Sequence, residues 1–281
     1  PKEFIVDGQR GIQDPTGMSG VRLECSVHIV TGLHSAIQNL KKCTQKVGLS
    51  VEALVLQSLA SSLAILSPDE RELGCSVADI GAGTTDLITY KNSSVVHTAV
   101  IPVGGHNFTQ DVAMGLRTTQ KKAEELKKKQ SSVLLHDVNS EELVEVETVG
   151  EQKSRNLSKR DLCEVVEARA EETLQLLKQE LKERKLLSQL GAGVVFCGGG
   201  AMLNGFVELA SFSFDFPVRK GICDKVGGLK DIIRCSSYAS CVGLLVYGQQ
   251  QMKQATPSQR DDVSKVGSWL SRWSEPLKSL F

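Results

Sequence analysis

Residues Asp79 to Asp86 read Asp-Ile-Gly-Ala-Gly-Thr-Thr-Asp between two apolar runs. Cys75 to Ile80 alternates, and Leu87 to Tyr90 resumes the pattern after the glycines, so a strand, a turn and a second strand are predicted. With no Cβ at Gly81 and Gly83, the turn is expected to take positive φ and approach an anion closely. The amides of Gly81, Gly83, Thr84 and Thr85 would then point at phosphate oxygens. Asp79, closing the first strand, would stand where a magnesium ion with its water shell needs a carboxylate, which makes it the candidate catalytic and metal-side residue. The same eight residues also read as an ordinary hairpin whose aspartates cap the turn.

A second glycine cluster follows another short apolar run. Val194 to Cys197 leads into Gly198-Gly199-Gly200-Ala201-Met202-Leu203-Asn204-Gly205, a strand delivering a flexible turn into a helix at about Leu203. Such a turn suits an adenosine lying against the backbone. Between the clusters, Glu124 and Lys127 are three apart in a helical stretch and share a face. Taken alone, that pair reads as a solvated salt bridge.

The hairpin at 79–86, the Ala-Glu-x-x-Lys of 123–127 and the Gly-Gly-Gly-Ala-x-Leu-x-Gly of 198–205 stand in an order that resembles the actin, Hsp70 and sugar-kinase superfamily. Within it the chain is most similar to the FtsA family of bacterial cell-division proteins. Gly20-Val21-Arg22, Val27 to Thr31, Leu59 to Ser62, Asp69 to Gly74, Ile101-Pro102-Val103-Gly104-Gly105 and Ala239 to Gly248 carry that likeness across nearly the whole length. The resemblance implies an α/β, actin-like (ribonuclease H-like) ATPase fold with ATP and magnesium as ligands. It assigns Gly81, Gly83, Thr84 and Thr85 to the phosphates, Gly104 and Gly105 to the nucleotide site, Glu124 and Lys127 to the ribose, and Gly198, Gly199, Gly200 and Met202 to the adenosine. Ala82 stands where a middle glycine is common, which negative φ would tolerate.

Composition agrees with an α/β protein. The 281 residues leave room for about two domains with real cores. The 33 basic and 33 acidic residues cancel, so a cationic field for nucleic acid is not indicated. None of the eight cysteines forms a Cys-x-x-Cys pair, and several sit in apolar segments, which suits buried thiols in a reducing cytoplasm. No apolar run approaches the 20 or so residues that a bilayer crossing needs.

The likeness also divides the chain. Residues 1–31 correspond to the last strands of a small inserted domain, and 32–72 to a remnant of the first actin-like domain. Within the remnant, residues 34–63 read as a helix followed by a short buried strand at Ala53 to Leu56, whose edge would be unpaired. Residues 73–117 open the second domain with a three-strand meander turning at Lys91 to Ser94 and a helix to Leu116. Residues 118–190 form an inserted subdomain with a helix at 119–129, a strand at Glu142 to Val149 and a long helix from about Ser158. Residues 191–248 complete the second domain. The first phosphate hairpin is expected to precede residue 1, so ATP binding by these residues alone is expected to be weak or absent.

In the long helix, Leu162, Val165, Val166, Ala170, Leu174, Leu177 and Leu181 recur at spacings of three and four, the pattern of a core-facing stripe. Arg160, Arg169, Lys178 and Lys182 take the opposite face, by default a solvated one. In FtsA-like proteins this subdomain receives the acidic C-terminal tail of the tubulin-like protein FtsZ, and the resemblance marks Arg169 as the contact.

After Tyr247 the composition turns polar, and residues 249–262 read as a linker. Beyond it Val263, Val266, Trp269, Leu270, Trp273, Leu277, Leu280 and Phe281 step along one helix face, with Lys265, Arg272 and Lys278 on the flank. This is the pattern of a helix lying in a membrane interface, with Pro276 near the start of a short second turn. The other reading is a helix packed on the domain or on a partner. FtsA's membrane-targeting helix favours lipid.

The expected function is therefore an ATP-binding division protein that anchors FtsZ filaments at the cytoplasmic side of the inner membrane, at the septum. Self-association into filaments and recruitment of later division proteins are implied as well. A pilus-assembly relative, a sugar kinase and an Hsp70-type chaperone are the competing classes, and they lack a reason for this tail.

Overall fold

The computed structural model describes residues 1–139, 141–147, 154–227 and 233–254. Three short strands come first: β1 (Glu3–Val6), β2 (Gln9–Ile12) and β3 (Leu23–Ser26), an antiparallel sheet in the order β2-β1-β3. Their long loop is tied down by Asp7, whose carboxylate accepts from the amides of Val21 and Arg22. The sheet rests on the main body through Gln13, which donates to the Asn92 carbonyl, and through His28 against Thr98, both at 3.0 Å.

Helices α1 (His34–Lys46), α2 (Gln57–Ile65) and α3 (Pro68–Leu73) follow. The strand expected at Ala53 to Leu56 does not form. These residues are an extended loop into α2, and Leu54 is 53% exposed. An apolar run becomes a strand only when a neighbour takes up its backbone groups, and no strand lies beside this one among the described residues. α3 starts where its sequence dictates. Ser67 and Glu70 form a reciprocal capping box and Pro68 takes the first position, where its missing N–H costs nothing.

The central sheet has five strands: β4 (Cys75–Ile80), β5 (Thr85–Lys91), β6 (Ser94–Ile101), β9 (Val194–Cys197) and β10 (Val218–Lys220), in the order β10-β9-β4-β5-β6. β4, β5 and β6 are the antiparallel meander that the sequence predicts. Asn92 and Ser93 both take positive φ at its turn, the mirror-image conformation that matches strand twist. β9 and β10 join in parallel.

Strand alternation builds two cores. On one face Ala78, Ile80, Leu87, Val194 and Phe196 pack with α4 (Gly105–Gly115), α5 (Gln120–Lys129), α6 (Lys159–Glu183) and α7 (Phe206–Ser213). On the other, Cys75, Val77, Ile88, Tyr90, Val195 and Cys197 pack with residues of α2 and of α8 (Ala239–Gln254). The result is an α/β/α sandwich, helices on both faces of a mixed sheet.

The apolar stripe of α6 is buried at Leu162, Val166, Ala170, Leu174, Leu177 and Leu181. Its other face is not simply solvated. Arg169 pairs with Asp111 of α4 and with Glu172, and Lys178 donates to the Ser213 carbonyl at 2.8 Å. The expected strand at 142–149 is observed as β7 (Leu143–Glu147), paired with an unforeseen polar strand, β8 (Ser154–Ser158). α8 runs to Gln254, six residues into the stretch read as linker. Polarity alone does not stop a helix, and Gln and Lys are good helix formers. The second glycine cluster delivers its helix at Phe206 rather than at Leu203.

Candidate functional site

β4 and β9 run in parallel, with Asp79 beside Cys197, and each ends in a glycine turn. Between the two turns opens a cavity of about 800 Å³. Asp79, Gly81, Gly105, Glu124, Lys127, Gly198, Gly199, Gly200 and Met202 all line it, so one space gathers residues from the three sequence motifs. Gly83, Thr84, Thr85 and Gly104, also assigned to the nucleotide, are not among its lining residues.

The first turn differs from expectation in how it uses its glycines. Gly81 and Gly83 do not take positive φ, and neither does Ala82. The Gly81 amide is spent on the Thr84 carbonyl at 2.9 Å, closing the turn. The amides of Ala82, Gly83 and Thr84 have no partner among the described residues, which leaves three donors unspent at the turn, and of these three residues Ala82 lines the cavity. The steric demand falls on Gly104, where a Cβ would stand 2.7 Å from the Thr84 amide nitrogen and 2.8 Å from the Ala82 carbonyl oxygen. α4 therefore begins directly against the turn. The amides of Gly105 and His106 bond the Gly81 and Ala82 carbonyls at 2.8 and 2.6 Å. Thr85 is buried and donates to the Val103 carbonyl, away from the cavity.

The second turn is equally tight. Gly198 has φ +84°, and a Cβ there would meet the Ile80 carbonyl oxygen at 2.4 Å and Asp79 Oδ1 at 2.5 Å.

Asp79 is 2% exposed and accepts from Ser61 at 2.5 Å, Ser240 at 3.0 Å and Gln57 at 3.3 Å. Asp86 lies opposite it across the β4–β5 pair. Burial pushes the Asp86 carboxyl above its usual range; the Thr84 hydroxyl opposes this and the charge of Asp79 adds to it. Two carboxyls on one face of a buried hairpin favour a cation near them. Among the described residues no three His, Cys, Asp or Glu side chains gather closely enough to bind a metal directly. A magnesium ion that keeps most of its waters and leans on phosphate oxygens needs only one or two carboxylates, and this donor set fits it.

Lys127 is 6% exposed, so the solvated-pair reading fails for it. Its ammonium donates to Glu124 at 2.6 Å and to the Gly105 carbonyl and Thr109 hydroxyl at 2.8 Å. The Thr109 hydroxyl in turn bonds Glu124. Burial works against the Glu124 charge, but bonds from Lys127, Thr109 and Lys128 outweigh it and hold the carboxyl at about 2. An acceptor kept ionised beside a fixed ammonium can receive sugar hydroxyls.

Gln57, Ser61, Thr109 and Ser240 were missed in the sequence. Gln57 and Ser61 are four apart on α2 and share its face, a local signal that only the position of Asp79 makes meaningful. Ser240 reaches Asp79 from the far end of the chain, with no local signal at all.

The chain is similar to known proteins. A model of the family described as "Cell division protein FtsA" matches residues 76–243, and one described as "SHS2 domain inserted in FTSA" matches residues 1–31. The Pseudomonas aeruginosa cell division protein FtsA is 42% identical over 89% of this chain and 60% of its own length. The Escherichia coli protein of that name is 36% identical over 100% of this chain and 69% of its own length. The chain thus spans about 60 to 70% of the length of these relatives. Among solved structures, MreB5 of Spiroplasma citri bound to ADP superposes with a TM-score of 0.64 at 20% identity, over 78% of this chain and 66% of MreB5, a likeness of fold. With both family models matched in order and identity above one third across most of its length, the chain belongs to the FtsA family of cell-division proteins.

Proposed function

We propose that the chain is the nucleotide-holding part of an ATP-binding division protein that ties FtsZ filaments to the cytoplasmic face of the inner membrane at the septum. The observation that carries the nucleotide half is the cavity, where Ala82 with its unpartnered amide, a buried carboxylate, an ionised Glu124–Lys127 pair and a glycine turn line one space of ligand size. The MreB5 structure, of the same fold, contains ADP. In this reading the amides of Ala82, Gly83 and Thr84 hold phosphate and Glu124 and Lys127 orient the ribose. Gly199, Gly200 and Met202 flank the adenosine, and Asp79 faces the hydration shell of magnesium. The metal would supply charge neutralisation on the phosphates. Slow hydrolysis is compatible with such a site, and the scaffold role does not depend on it.

The partners follow from the family. An acidic FtsZ tail would meet Arg169, whose side chain is 23% exposed and whose guanidinium is already bonded to Asp111, so the peptide must share or displace that carboxylate. Filaments arise if copies associate head to tail, a heterologous contact that does not close. Later division proteins would join the same scaffold. The membrane residues Val263 to Phe281 lie outside the described residues. Their support is the spacing of the apolar side chains and of both tryptophans along one face. Half-burying that face is worth on the order of several kcal/mol, and many tails on one filament would bind by avidity.

Vesicle co-sedimentation tests this assembly. The full chain should pellet with anionic vesicles and a chain ending at Ala255 should not. Equal pelleting, or none by either, would remove the membrane anchor from the reading.

A further inference from the structure

The buried Asp79 carboxylate is held by one of its two oxygens. Oδ2 receives Ser61, Ser240 and Gln57, whereas no described hydrogen bond reaches Oδ1, which stands toward the Gly198 turn. The two serine hydroxyls are also 2.8 Å from each other. Each has a single proton, so at most two of these three oxygen–oxygen contacts carry one, and the carboxylate is the acceptor that gains most. Ser61 belongs to α2 and Ser240 to α8. These helices touch backbone to backbone beside the serines, at Ala60 and Gly243. The crossing of two helices therefore fixes the rotation of the carboxylate.

We propose that Ser61 and Ser240 are positioning residues for Asp79. By occupying Oδ2 they turn Oδ1 toward the glycine turn and hold it where the water shell of a nucleotide-bound divalent cation meets it. Packing alone would be served by alanine at either position. A hydroxyl from each helix instead compensates an anion that is costly to bury. The inference deepens the nucleotide reading of the cavity and rests on it.

Equilibrium dialysis of the full chain against ATP, carried into the millimolar range with magnesium or with EDTA, separates the two. In the natural chain magnesium should tighten ATP binding. In Ser61→Ala/Ser240→Ala about tenfold of that gain should vanish while affinity in EDTA is unchanged, and Ser240→Thr should retain it. Thermal melts establish that each variant is folded, and the single alanine variants serve if the pair is not. Equal magnesium gains in all variants would overturn the proposal. So would an equal loss with and without metal, which is the mark of a merely structural role. No ATP binding by the natural chain under either condition would instead remove the nucleotide reading, and the inference with it.

Discussion

Gly243 of α8 approaches α2 so closely that a Cβ on it would stand 1.7 Å from the carbonyl oxygen of Ala60. No rotamer relieves such a contact, so Gly243→Ala must push the helices apart. The expected cost is about 3 kcal/mol, the upper part of the range for overpacking a close-packed interior. Ser240 sits one turn earlier on the same helix, so the shift should also loosen its bond to Asp79. Urea unfolding of Gly243→Ala against the natural chain checks the stability cost. Unchanged stability would mean that the helices are not in contact.

The Glu124 network predicts a pH dependence with a definite sign. Its folded carboxyl lies at about 2 against an ordinary 4.5, so the native state binds that proton more weakly than the unfolded chain does. The stability it contributes is complete above about pH 4.5 and is lost as the pH falls toward 2. Glu124→Gln should flatten that part of the stability profile and leave the neutral-to-alkaline side parallel to the natural one. Chemical denaturation between pH 2.5 and 7 reads the difference.

Arg169 makes a bidentate pair with Asp111, its second bond 3.0 Å long. Arg169→Glu would set like charges against each other there, so Arg169→Ala is the cleaner probe of FtsZ binding. The account expects an FtsZ tail peptide to bind Arg169→Ala about tenfold more weakly, the value of one lost charge-assisted contact. Asp111→Asn should bind no more weakly than the natural chain. Fluorescence anisotropy with a labelled peptide measures both.

The fold was legible where the signal was local. Cys75 to Ile101 announced its meander because alternation and turn residues lie within a few positions of one another. The glycine clusters and the Glu124–Lys127 pair likewise marked the cavity wall. Legibility failed wherever the partner is distant. Ala53 to Leu56 is apolar enough for a strand but has no neighbour to pair with, and β8 is too polar to be noticed without β7 beside it. The steric need for glycine at Gly104 is set by the Thr84 amide, and the serines around Asp79 gain meaning only once α2 and α8 meet. Local sequence thus marked several of the residues that line the cavity, while long-range packing decided how they are held.

The central claim is that a nucleotide sits between the two glycine turns. Amide hydrogen exchange of the full chain with millimolar magnesium and ATP tests it most directly, because weak binding still slows exchange at the amides it covers. The account predicts protection concentrated in Gly81 to Thr84 and Gly198 to Met202, and none from magnesium alone. Exchange unchanged at both turns, or protection confined to segments away from the cavity, would contradict it.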